Sequence, residues 1–232
     1  MKDVVYILKE NIDPFELTYS LRSLEKNFPC RNVYFVGGKP SGLRPDMAHY
    51  HHQIGTSKWN KILGSLKIAA EDPDLSDEFF VFNDDFFIME PIDTENFTNY
   101  ISGTLQERYD EIMAGRTTPS NYQKELQKCD YELYKRKASR HSFEVHIPIL
   151  VNKADFLEHI SDIQHSKISM YRSFYGNICK VPTIKREDCK VYDMETIIEG
   201  SDYLSTSDLI FAHGAVGRYI REQFTEPSRF EV

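Results

Sequence analysis

The sequence predicts an α/β fold with a mainly parallel central sheet and helices on both faces. Three observations carry this. Residues 3–8 and 32–36 are short apolar runs of the length of strands buried on both sides. Between them Leu17, Leu21, Leu24 and Phe28 recur at helical spacing and make one apolar face. Strand, helix and strand in so short a span form a βαβ unit, which builds parallel sheets through right-handed crossovers.

Each element has local grounds. Asp13 can cap the first helix, Pro14 suits its first turn, and Glu16 stands where a capping box needs it. Pro29 stops that helix, and Gly37-Gly38 closes the second strand. Residues 39–56 read as loop, with a short strand around Tyr50 to Ile54. A second helix is predicted from about Ser57 to Ala70, its face Trp59, Ile62, Leu63, Leu66, Ala69 and Ala70, with Pro73 ending it. Glu78 to Phe82 is a third strong strand.

The segment from about 100 to 140 is polar and helical in pattern. Ser120 and Gln123 form a capping box ahead of Leu126, Cys129 and Leu133. It reads as a helical flap inserted into a single domain spanning 1–232. Phe143 to Val151 returns to strand composition. Helices are expected after Asn152 to Ile160 and over Lys167 to Phe174. A last strand is expected at Leu209 to Ala212, and a final helix over Ala215 to Phe224.

The chain has 232 residues, 41% hydrophobic and 28% charged, which is globular composition. Its formal charge of −8 argues against a surface built as a nucleic-acid footprint. The four cysteines, Cys30, Cys129, Cys179 and Cys189, include no CxxC pair and read as reduced thiols. No stretch approaches the roughly 20 apolar residues that cross a bilayer. The first residues turn polar too soon for a signal peptide, so a cytoplasmic location is expected. The sequence does not set an oligomeric state.

Asn83-Asp84-Asp85 follows the third strand, at its carboxyl end, where ligand sites in open α/β sheets collect. Neighbouring side chains of an extended stretch point to opposite faces, so a turn is needed to aim both acids at one point. Such a pair suits a hard divalent cation, Mg²⁺ or Mn²⁺, holding a nucleotide diphosphate. A polar strand terminus has the same pattern. His49, His51 and His52 tempt a metal reading, but with Asp46 as the one close carboxylate an exposed loop is expected. In Phe211-Ala212-His213-Gly214-Ala215 a glycine opening a helix can bring backbone close to phosphate; a tight turn reads the same way.

Three runs together resemble the Stealth family of sugar-phosphate transferases: Glu16-Leu17-Thr18-Tyr19-Ser20-Leu21-Arg22-Ser23-Leu24-Glu25-Lys26, Arg31 to Val36, and Asp74 to Phe87 with its Asn83-Asp84-Asp85. Asp3-Val4-Val5-Tyr6 is similar to that family's opening region. His146-Ile147-Pro148 with Tyr171-Arg172 looks like its third region, and Phe224 to Glu231 like its last. The chain departs from the family at Ile7-Leu8-Lys9-Glu10, where a Trp-Val-Asp-Gly turn is usual. It departs again at Thr56-Ser57-Lys58-Trp59-Asn60, where an Asn-Ser-rich segment is usual.

The resemblance implies a GT-A-like nucleotide-sugar fold. It also implies transfer of a sugar-1-phosphate from a UDP-sugar to an acceptor hydroxyl, as in capsular polysaccharide synthesis. The roles it implies are His146 as base, Asp85 and Arg172 as further catalytic groups, and Arg22, Asn83, Asp84 and Gly214 as donor-binding residues. Asp84, Asp85 and His213 would hold the metal. For Arg22 a surface ion pair with Glu25 competes, and for His146 a core position. Two other readings stay open: a glycosyltransferase moving the sugar alone to a glycan, polymer or modified nucleic acid, and a non-catalytic sugar-nucleotide or glycan-binding module. The cluster Lys135-Arg136-Lys137 with Arg140, beside Tyr131 and Tyr134, reads either as an acceptor contact or as a solvated helix face.

Overall fold

A computed structural model describes residues 1–44, 46–53 and 58–232, and not the side chains of Lys58, Trp59 and Ser166. In chain order the elements are β1 (Asp3–Ile7), α1 (Pro14–Asn27), β2 (Val33–Val36), β3 (Ala48–His51), α2 (Lys58–Glu71), β4 (Glu78–Phe82), β5 (Phe86–Ile88), β6 (Asn99–Ile101) and β7 (Gly103–Thr104). There follow α3 (Leu105–Met113), α4 (Asn121–Lys135), β8 (His141–Ser142), β9 (Ile149–Asn152), α5 (Lys153–Ser166), α6 (Tyr171–Ile178), β10 (Thr183–Lys185), β11 (Tyr203–Ser205), α7 (Asp208–His213) and α8 (Ala215–Gln223). They gather into two compact units. One comprises Met1–Phe97, His146–Lys153 and Cys189–Val232; the other comprises Thr98–Val145 and Ala154–Asp188.

The first unit holds a five-stranded sheet in the order β3-β2-β1-β4-β9, parallel except for β9. The mainly parallel α/β fold expected from the sequence is therefore present. From β1 the chain moves through α1 to β2 on one side, and from β3 through α2 back across to β4. Right-handed crossovers in opposite directions put α1 and α2 on opposite faces. Side chains agree. Tyr6, level with Phe35 and Phe82, meets Ser20 of α1 through its hydroxyl at 3.0 Å. On the other face Tyr34 stacks on His49 and His51, and His51 Nε2 lies 3.1 Å from Asp72 just past α2.

Those two histidines sit on β3, where His49 is exposed as expected and His51 is half-buried. Gly37 makes the β1–β2 junction close. Its φ is +120°, and a Cβ there would lie 2.1 Å from the Leu8 carbonyl oxygen. Ile54, Thr56 and Ser57, on which part of the strand and helix expectations rest, lie outside the described residues, as does the Trp59 side chain.

The apolar face of α1 is buried as its periodicity requires: Leu17, Leu21 and Leu24 are fully inaccessible and Phe28 nearly so. Ser20, Ser23 and Asn27 make a second, polar and equally buried stripe. It is stitched to the backbone of β5. Ser20 Oγ donates to the Phe86 carbonyl at 2.5 Å, the Ile88 amide donates to Ser23 Oγ at 3.0 Å, and Asn27 Nδ2 donates to the Ile88 carbonyl at 2.8 Å. Having given its proton to Phe86, Ser20 accepts from Tyr6. On its other edge β5 pairs antiparallel with β11. A three-residue strand thus has its backbone satisfied on both sides.

Four expectations are corrected. Glu16 does not close a capping box; Asp13 accepts from the Phe15 amide, while the Glu16 carboxyl turns inward to Thr206. Residues 143–148 are not strand. There the Phe143 amide is given to Ser173 Oγ, the Val145 carbonyl is taken by Arg172, and Pro148 has no amide to give, so no ladder forms before Ile149. Leu209 to Ala212 is helical, part of α7. Its short apolar run fits either period, and the preceding strand is β11. After Asn152 the helix runs on to Ser166, and the next spans Tyr171–Ile178, not Lys167 to Phe174.

In the second unit β6 pairs parallel with β10 and β7 antiparallel with β8. The segment expected to be helical carries α3 and α4, packed on each other. Ser120 and Gln123 cap α4 reciprocally as predicted, and Leu126, Cys129 and Leu133 are buried on one α4 face. All four cysteines are free thiols. No helix among the described residues is long and apolar enough to cross a membrane.

Candidate functional site

In the strand order β3-β2-β1-β4 the chain leaves β1 toward β2 on one side and reaches β4 on the other. The carboxyl ends of β1 and β4 therefore flank a topological switch point, where open α/β sheets bind ligands. Lys9 and Glu10 follow β1 there, and Asn83-Asp84-Asp85 follows β4. A turn bends the chain straight into β5, the Phe86 amide reaching the Asn83 carbonyl at 3.4 Å. The acidic turn is gripped at both ends, by the sheet before it and by α1 and β11 after it.

The two aspartates part company. Asp85 points toward β11, where its Oδ2 accepts from Lys190 Nζ at 2.9 Å and from Ser205 Oγ at 3.1 Å. Its Oδ1 is buried without a hydrogen-bond partner. Asp84 is half-buried, and its carboxyl is held above the usual range by burial first and by the Asp85 charge second, with Lys9 opposing. Lys9 Nζ lies 3.8 Å from Asp208 at the start of α7. Below them Glu16 is almost fully buried and accepts from the Thr206 hydroxyl at 2.6 Å.

The Glu16 carboxyl is pushed up to about 8, mainly by burial and further by Asp85, Asp84 and Asp208, against the Thr206 hydrogen bond. The folded chain thus holds a proton on Glu16 that the unfolded chain releases near the ordinary 4.5. Stability from this group is complete below that value, falls as pH rises, and levels out above about 8. Glu16→Gln is expected to flatten this slope, gaining on the order of 3 kcal/mol relative to the parent at pH 9. Melting temperature against pH for the two proteins checks it; parallel curves contradict it.

His146 lies in the loop before β9. The β4–β9 ladder ends at the Val81–Ile149 pair, three residues short of His146. Its ring meets Phe86, the residue after Asp85, edge-on at 6.5 Å between centroids. Of the strand expected over Phe143 to Val151, only the part from Ile149 on pairs with the acidic strand.

The other expected site residues are placed elsewhere. Arg22 is a clasp, not a free phosphate ligand. Nε and Nη2 bind the two Glu231 oxygens at 2.9 and 2.7 Å, and Nη1 donates to the Phe224 carbonyl at 3.2 Å. Glu25, its expected partner, pairs with Arg229. Arg172 belongs to the second unit, on α6, buried, with Nη1 donating to the Val145 carbonyl at 2.8 Å. His213 is exposed at the end of α7. Gly214 joins α7 to α8, but its amide goes to the Ile210 carbonyl at 2.8 Å, and the next amide, of Ala215, goes to Met194 at 2.8 Å. That helix start therefore offers neither of these amides to an anion.

The three-residue metal site expected from Asp84, Asp85 and His213 does not match these positions. Among the described residues no three His, Cys, Asp or Glu side chains gather to hold a metal. An ammonium is bound to one Asp85 oxygen and the other is buried, which leaves Asp84 as the one acid of the turn open to a cation. In the second unit the basic cluster is partly compensated, by two acids against four bases. Lys135 and Arg136 both pair with Glu132, and Arg140 pairs with Asp130.

Sequence reasoning passed over Glu16, Lys190, Ser205 and Thr206. The last three lie more than a hundred residues from the acidic turn and carry no motif; Glu16 carried a signal, a carboxylate on a helix facing the sheet, that was read as a cap.

No protein-family model matches the chain, and no curated protein matches it. Solved structures do. One is galactosyltransferase LgtC in complex with donor and acceptor sugar analogues, at 13% identity over 79% of this chain and 72% of that one, TM-score 0.43. Another is glycosyltransferase GlyE of Streptococcus pneumoniae TIGR4, at 11% identity over 80% of this chain and 45% of that one, TM-score 0.39. At these low values the chemistry of this chain is argued from its own residues.

Proposed function

We propose that the chain is a transferase that takes a nucleotide-sugar donor, a UDP-sugar, at the carboxyl ends of β1 and β4. The observation that carries this reading is the acidic turn gripped at a topological switch point, with Lys190 bound to Asp85 and the His146 ring against Phe86. A binding module has no need of a charged, half-buried turn with a histidine beside it.

In this reading the donor diphosphate lies against the turn, with Asn83 and Asp84 toward it, and His146 takes the proton of the acceptor hydroxyl. Arg172 acts through its bond to the Val145 carbonyl, which steadies the loop leading into His146. Any Mg²⁺ or Mn²⁺ would be held by Asp84 together with donor phosphates, and would supply charge neutralisation there. The acceptor is a glycan or polymer hydroxyl; the paired state of Lys135, Arg136 and Arg140 speaks against nucleic acid.

Two reactions fit one donor. If the hydroxyl oxygen bonds to the anomeric carbon, the bond from that carbon to the β-phosphate oxygen breaks and UDP leaves. If it bonds to the β-phosphorus, the diphosphate bridge breaks, sugar-1-phosphate moves and UMP leaves. The resemblance of Glu16–Lys26 and Asp74–Phe87 to the Stealth family favours the second. A panel of UDP-sugars incubated with hydroxyl acceptors, with nucleotide products separated by chromatography, tests both. UMP supports sugar-phosphate transfer and UDP supports sugar transfer. Release of neither nucleotide above the protein-free rate contradicts the reading.

A further inference from the structure

Lys190 is fixed from two directions before it reaches Asp85. The residues on either side of it are tied to β11: the Val191 amide donates to the Ser205 carbonyl at 2.9 Å, and the Ser205 amide donates to the Cys189 carbonyl at 3.3 Å. Lys190 itself bridges to Ser205 in parallel register. A backbone pinned on both sides fixes where the Lys190 stem leaves the chain. Its ammonium ends 2.9 Å from Asp85 Oδ2, the oxygen to which Ser205 Oγ also donates.

The ammonium is mostly enclosed, its side chain 17% exposed and that of Asp85 15%. It has three donors and gives one to Asp85. Asp84, Asp85 and Asp208 all act on Glu16 and so concentrate negative charge here, against the Lys9 ammonium beside Asp208; a diphosphate meeting these acids calls for further positive charge.

We propose that Lys190, aimed by Asp85 and Ser205, is the cation that receives the donor diphosphate, and that it supplies from the protein the positive charge expected of a divalent metal. The inference rests on the reading of the crevice as a nucleotide-sugar site. Asp85 is then a positioning residue, and Asp84 the acid that faces the ligand. Lysine suits the task as a compact point charge on a stem that can swing from carboxylate to phosphate while staying near both.

The test is calorimetric titration of the whole chain with UDP in EDTA and again with Mn²⁺, for the parent, Lys190→Gln and Lys190→Arg, each checked for cooperative melting. The parent is expected to bind UDP in EDTA. Lys190→Gln is expected to weaken binding about tenfold or more, the loss of a charge-assisted contact, and Lys190→Arg to restore most of it. UDP binding that appears only with Mn²⁺, or a folded Lys190→Gln with parental affinity, overturns the inference and leaves the transferase reading standing. Failure of the parent to bind UDP in either buffer overturns both. If Lys190→Gln does not melt cooperatively, Lys190→Arg decides: retained affinity supports a charge role, and affinity lost from a folded protein overturns it.

Discussion

Asp85→Ala is expected to lose both turnover and stability, and for one cause. Removing the carboxylate leaves the Lys190 ammonium buried without its partner, which costs about 3 kcal/mol when one member of a buried pair is deleted. The same change releases Lys190 from its aim at the ligand, so turnover should fall about 10²–10³-fold. Asp85→Asn separates the two effects. Its amide oxygen still accepts from Lys190 and Ser205, so the melting temperature should recover more than the rate does. Steady-state kinetics and thermal melts on both variants check this; parental values for Asp85→Ala in both measurements contradict it. From the sequence Asp85 stands at a strand end; in the structure it is an internal ion-pair partner.

The second large effect is at Gly37. Its φ of +120° and the 2.1 Å approach of a Cβ to the Leu8 carbonyl oxygen leave no room for a side chain where β2 leaves the sheet beside the end of β1. The clash is with backbone, which cannot rotate away. Gly37→Ala is therefore expected to lose on the order of 4 kcal/mol. Gly42→Ala is the control: φ is +76°, with nothing within 4 Å of the added methyl, so only the left-handed backbone is strained, at about 1 kcal/mol. Urea midpoints for the two variants should differ accordingly. Equal midpoints would mean that the β1–β2 junction can shift, and with it one wall of the crevice.

The fold was legible where one period or one chemistry dominated. The β1–α1–β2 unit, β4, the α4 cap and α8 follow from apolar spacing and capping residues. Ser20 and Ser23, inside the run that carries the family resemblance, proved to be the residues that hold β5. Their side chains complete a strand ladder, which no periodicity shows. Leu209 to Ala212 was misread because four apolar residues fit a strand or a buried helical turn, and Phe143 to Val145 because its backbone partners are side chains of α6.

Of the proposed site, Asp84, Asp85 and His146 were named from position and resemblance, and Lys190 was not. It meets Asp85 across 105 residues of chain, through a pairing of β11 that depends on the whole unit being folded. Arg22 shows the opposite error. A guanidinium within a motif was assigned to phosphate, and the structure gives it to Glu231, which fastens the chain's last residues to α1.

A structure of the chain with UDP bound tests the central claim most directly. The account predicts the diphosphate at the carboxyl ends of β1 and β4, within hydrogen-bond reach, about 2.7–3.2 Å, of Lys190 Nζ and on the side of the turn that Asp84 faces. A nucleotide seated away from the Asn83-Asp84-Asp85 turn, or one whose phosphates make no contact with Lys190 or Asp84, would contradict it.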